Sequence, residues 1–113
     1  MISVRVHRII FWCLLAIVVI LSMVSLQYGQ QMFDWQDKLH HLLAYAVLFW
    51  VLLGAYGKQQ NLWLLGMLLA AFSGLIEVAQ SYTGYRQAEL LDLLANITGI
   101  FLGGLLNLLK RGL

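Results

Sequence analysis

Proline is absent from this 113-residue sequence, and charge is scarce: 11% of residues are Asp, Glu, Lys or Arg, against 62% hydrophobic. Without proline, no helix has the commonest cause of a sharp kink. So few charges exclude a water-soluble globule, which carries roughly 25% charged and about 45–50% apolar residues. Cysteine occurs once, as Cys13 inside an apolar run, so no internal disulfide can form and the residue is silent about redox compartment. The net charge of +2 is too small and too dispersed for a nucleic-acid surface. Linkers, low-complexity tracts and internal repeats are also missing, so residues 1–113 read as a single domain.

What fills the chain is four apolar runs, at Ile9–Leu26, Leu39–Tyr56, Leu62–Ala79 and Leu90–Leu109. As helices at 1.5 Å per residue each reaches roughly 27–30 Å, enough to cross a hydrocarbon core. The expected fold class is therefore all-α, a four-helix transmembrane bundle. The first run has a basic start and an apolar core, as a signal peptide does. Its core is long for that role and no A-x-A-type site follows, so it reads as an uncleaved anchor helix.

The basic residues set an expected orientation. Arg5, Arg8, Lys58, Lys110 and Arg111 fall on one side, and only Lys38 and Arg86 on the other. Such a bias predicts that both termini and the Gly57–Asn61 loop are cytoplasmic. Aromatics lie near both boundaries, with Tyr28, Trp35, Tyr82 and Tyr85 outside and Trp12, Tyr56 and Trp63 inside.

On that topology all five acidic residues (Asp34, Asp37, Glu77, Glu89 and Asp92) gather at the outer side, with His40, His41 and Arg86. His7 sits instead among the N-terminal basic residues and reads as an interfacial side chain. Helical spacing puts Asp37, His41 and Tyr45 on one face of the second helix. His40 is about 100° away from His41, so the two do not share a target. Ser73, Glu77 and Gln80 line one face of the third helix, and Asp92, Asn96, Gly99 and Gly103 one face of the fourth. Ionisable groups within a span cost at least about 2.5–3.5 kcal/mol on insertion scales, so they face inward and have a task.

Several tasks fit these residues. Asp37 and Asp92 suit helix N-termini, where carboxylates meet the positive dipole end. Arg86 with the carboxylates would make a structural ion-pair network. His41 with acidic neighbours is a conceivable zinc ligand set, though no tight motif such as H-E-x-x-H is present. His41 positioned by Asp37 would also serve as a general base, with Arg86 holding an anionic headgroup. Gly99-x-x-x-Gly103 permits close helix contact, within the chain or in a homodimer.

The pieces Asp37-Lys38-x-x-His41-x-x-x-Tyr45, Glu77-x-x-Gln80, and Arg86 followed by Asp92-x-x-x-Asn96-x-x-Gly99 resemble the VanZ-like family of small integral membrane proteins, over most of Asp37–Gly103. The chain departs from the family at Gly84-Tyr85-Arg86, where a Pro-Gly-Arg-like turn is common, and at Glu89, where a small or hydroxyl residue is expected. The resemblance implies a cell-envelope protein of the bacterial cytoplasmic (inner) membrane, in a family associated with antibiotic resistance and glycopeptide tolerance. On that reading Arg86 and Lys38 hold the phosphate or carboxylate of an anionic lipid-linked or cell-wall substrate. Asp37, His41, Glu77 and Asp92 form the candidate proton-handling cluster, and Tyr45, Gln80 and Asn96 complete substrate binding. No resident metal or cofactor is indicated. The alternative is a non-enzymatic accessory subunit packed against a larger membrane partner.

Overall fold

The computed structural model describes residues 3–23, 34–82 and 90–112. Four helices account for nearly all of them: α1 (Val4–Met23), α2 (Asp34–Tyr56), α3 (Leu62–Ser81) and α4 (Leu90–Gly112). All four are long and apolar enough to cross a membrane. The molecule measures 42 × 23 × 22 Å, and its long axis matches a bilayer of about 40–45 Å including headgroups. The protein is an all-α four-helix membrane bundle.

The helices run past the apolar segments that announce them. α1 begins at Val4 rather than Ile9, because Ser3 caps it: the Val6 amide donates to Ser3 Oγ at 3.2 Å. α2 begins at Asp34, ahead of its apolar run at Leu39, so Asp37 lies on the helix with His41 and Tyr45, as the spacing requires, and Lys38 is in the helix rather than in the first loop. An apolar run marks only the length that meets hydrocarbon, while the hydrogen-bond ladder continues into the interface. At the other end of α2, the chain turns through Gly57–Gln60, where the Gln60 amide donates to the Tyr56 carbonyl at 2.9 Å. Asn61 then caps α3 by accepting from the Trp63 amide at 2.7 Å.

Successive helices are antiparallel, so the bundle has a basic end (Arg8, Lys58, Lys110) and an acidic end (Asp34, Glu77, Asp92). α2 is the central element, packed most extensively against α4 and next against α1. Gly99 and Gly103 explain the first contact. A Cβ at either position would overlap a carbonyl oxygen of α2, that of Leu42 or Ala46 respectively. The two glycines are therefore used inside the chain, to bring the α4 backbone onto α2. The core is aliphatic and aromatic, with Tyr45, Leu48, Phe49, Leu52, Leu65 and Leu69 among its buried members.

α1 is held differently. Phe11 is its only buried side chain among the described residues, Leu14, Leu15 and Val18 pack partly buried against the core, and polar contacts at the basic end add to them. Arg8 Nε donates to the Ala55 carbonyl at 3.0 Å, and Arg8 Nη2 donates to Gln59 Oε1 at 2.9 Å. The same guanidinium lies 4.5 Å over the Tyr56 ring, whose hydroxyl accepts from Trp12 Nε1 at 3.0 Å. Ala55 is in the last turn of α2, where carbonyls lack intrahelical donors and the dipole end is negative, so a cation there stabilises the helix. His7 joins this contact as well, its ring seated against Gly54 and its Nδ1 3.0 Å from the Ser3 carbonyl.

Candidate functional site

Three helices bring polar side chains into the acidic half of the bundle. From α2 come His41 and Tyr45, from α3 Ser73 and Glu77, and from α4 Asp92 and Asn96. All except His41 are buried, and His41 is partly so. Ser73 is fully enclosed and Asn96 retains 2% exposure, so these groups are turned away from lipid.

The link between α2 and α4 is a hydrogen bond, with His41 Nδ1 3.0 Å from Asn96 Oδ1. An amide oxygen accepts, so Nδ1 is the donor in this bond. Asn96, on another helix, is thus a partner of His41 that spacing within α2 does not contain. The glycine-mediated approach of α4 to α2 makes this bond: Gly99 is three residues from Asn96, and Leu42 is next to His41. Between α2 and α3, Tyr45 lies within electrostatic reach of Glu77. Ser73 turns its hydroxyl back along α3 and donates to the Ala70 carbonyl at 2.7 Å.

His40 is exposed, about 100° around α2 from His41, as the spacing predicts. The side chains of Asp37, Lys38 and Gln80, and all of Arg86, lie outside the described residues. Among the described residues, no group of three His, Cys, Asp or Glu side chains is arranged to hold a metal ion.

No family model, curated protein or solved structure matches this chain. The site is therefore read from its own chemistry.

That chemistry is a box of acceptors and proton carriers in an apolar surround. Two buried carboxylates, Glu77 and Asp92, sit within candidate membrane spans, where ionisable groups are rare and face the bundle interior. Both are engaged by neighbouring groups.

Two features escaped the sequence reading. The Arg8 clamp joins residues 47 and 51 positions apart in the chain, and no local pattern announces such a pairing. The other is an apolar groove of about 380 Å³ between α3 and α4, floored by Phe49 of α2. Its glycines, Gly66 and Gly104, were visible in the sequence, but not that they flank one phenylalanine ring.

Proposed function

We propose that the protein is a VanZ-like component of the bacterial cell envelope that binds an anionic lipid-linked or cell-wall substrate in the polar box. In this reading the acidic end faces outward, both termini are cytoplasmic, and the box opens to the outer leaflet of the cytoplasmic membrane. The observation that carries it is that Tyr45, Ser73, Glu77, Asp92 and Asn96, all buried, and the partly buried His41 come from three helices at the acidic end, within candidate spans. Burying that many polar groups costs folding free energy, and a scaffold could meet the same interface with apolar residues.

The roles follow from the side chains. Arg86, with its planar fork, and Lys38 engage the phosphate or carboxylate. Asn96 helps fix the ring of His41, and His41 with Asp37, Glu77 and Asp92 handles protons of the bound substrate. Glu77 and Asp92 complete the proton-handling cluster, and their acceptor oxygens orient donor groups of the ligand.

The test compares two adjacent histidines. Wild type, His40→Ala and His41→Ala are purified in mild detergent, and copurifying lipids are identified by mass spectrometry. The expected result is a retained anionic lipid in wild type and His40→Ala that is lost in His41→Ala, with Arg86→Lys also losing it while melting like wild type. Retention in His41→Ala with loss in His40→Ala would refute the proposal.

A further inference from the structure

The apolar groove between α3 and α4 belongs to the basic end of the bundle and to one leaflet. It starts at Leu62, the first residue of α3, and at Leu108, near the end of α4, and it stops at Ala70 and Ile97. At 1.5 Å per residue that is about 12 Å along α3 and about 17 Å along α4. The groove therefore runs from the interface at the basic end to about the middle of a roughly 30 Å hydrocarbon core. Its floor is buried, made by Phe49 and Ile100, while Trp63 and Met67 on α3 and Phe101 and Leu105 on α4 stand exposed as its walls. Two glycines keep the floor low. The Phe49 ring lies between Gly66 and Gly104, and a Cβ at Gly104 would come within 3.0 Å of it. Left empty, such a slot would forfeit the dispersion contacts of every side chain along it, so in a bilayer hydrocarbon fills it.

We infer that the groove holds one acyl chain of an anionic phospholipid from the leaflet at the basic end, with the headgroup over the cationic rim. The sign of the charge selects the lipid. Arg5, Arg8, Lys58, Lys110 and Arg111 lie at this end, and every Asp and Glu of the sequence lies at the other. Two of these cations are already engaged on α2: Arg8 on Ala55 and Gln59, and Lys110 with its Nζ 5.2 Å from the centre of the Trp50 ring. Lys58 and Arg111 are the cations placed by position at the groove. Lys58 is exposed in the turn that leads into Leu62. Arg111 comes three positions after Leu108 and seven after Gly104 on α4, a spacing that shares one helix face. Trp63 adds an exposed indole in the first turn of α3, at the level where interfacial aromatics meet headgroups. Length selects a chain over a second copy of this protein, since a docking helix would need a face along the whole span and the groove ends at mid-depth. The site is separate from the polar box: its lining is wholly apolar, and it opens at the opposite end of the bundle.

The experiment reconstitutes the full chain in phosphatidylcholine vesicles carrying a trace of either phosphatidylglycerol or phosphatidylcholine with a diazirine on one acyl chain, beside the carbonyl or at the chain terminus. After illumination, labelled residues are mapped by mass spectrometry. The carbonyl-side probe should label near Trp63 and Leu108, and the terminal probe near Ala70 and Ile97. Phosphatidylglycerol should label the groove roughly five-fold or more above phosphatidylcholine, the effect of one or more cations near a membrane surface. The excess should shrink in high salt and vanish when Lys58→Gln and Arg111→Gln are combined, leaving label at the phosphatidylcholine level. Gly66→Leu should fill the slot and abolish groove label from both lipids, since a Cβ there has only ordinary contacts, the nearest 3.5 Å away. Leu105→Trp, on the exposed wall, should lower it without touching the core. Equal label from the two lipids would make the occupant ordinary boundary lipid and overturns the inference. So does a preference that survives the loss of both cations, or a reversed order of the two probes, which would mean a chain from the other leaflet. Label that spreads over exposed positions such as Leu68 and Leu75 and ignores both groove variants overturns it, and so does a dimer that excludes label from the groove. In detergent the two sites separate. Anionic lipid kept by His41→Ala and lost in Gly66→Leu belongs to the groove, and lipid lost in His41→Ala and kept by Gly66→Leu belongs to the polar box, so either proposal fails without the other.

Discussion

Replacing Gly99 by alanine should loosen the bundle at the point where the site is assembled. The added Cβ would overlap the Leu42 carbonyl oxygen and come within 3.0 Å of the Leu42 carbonyl carbon and 3.1 Å of the Ala46 nitrogen. All three are backbone atoms of α2, so no rotamer change relieves them. Ordinary carbon contacts lie at about 3.5–4.0 Å, and relieving the overlapped oxygen as well requires α4 to move off α2 by about 1 Å or more. That shift takes the 3.0 Å contact between His41 and Asn96 to or beyond the limit of a hydrogen bond. Overpacking of this kind costs typically about 1–3 kcal/mol. The better helix propensity of alanine offsets up to about 1 kcal/mol of it. The control is Gly74→Ala on α3, where a Cβ meets nothing within 4 Å and the propensity gain stands alone. Gly99→Ala should therefore fall about 2 kcal/mol below Gly74→Ala in unfolding from mixed micelles followed by tryptophan fluorescence. The imidazole ¹⁵N spectrum of His41 should also lose the signature of a donating Nδ1–H. Equal stability of the two variants, or an unchanged His41 spectrum, would refute the account of how α4 positions the site.

Arg8→Lys keeps the charge at the basic end but loses the fork that reaches both Ala55 and Gln59. Hydrogen bonds to a charged group contribute about 1.5–3 kcal/mol when shielded, and this one is only partly buried, so a loss of about 1 kcal/mol is expected. It should appear as a lower melting temperature, with lipid retention at the distant box unchanged. Topology is checked with single cysteines at Thr83 and Gln59 in a Cys13→Ser background. An impermeant thiol reagent on intact cells should label the first and spare the second, and the opposite pattern would invert the orientation.

Composition and run length alone determined the fold class, because the bilayer imposes a span length and forbids unsatisfied backbone groups within it. Helical spacing also separated His41 from His40, since angles around one helix follow from residue number. The apolar runs marked the membrane-crossing lengths, and α1 and α2 begin before them, at Val4 and Asp34. What spacing within one helix does not contain is the rotation of one helix against another. That His41 meets Asn96 depends on α4 lying against α2 through Gly99 and Gly103, and that Arg8 reaches Ala55 depends on α1 lying along the other flank. The groove is further still from local pattern, because it exists only where Phe49 of one helix falls between the glycines of two others. Contacts between helices are decided by steric fit of whole surfaces, a property of pairs of elements, and for that reason only the tertiary structure revealed them.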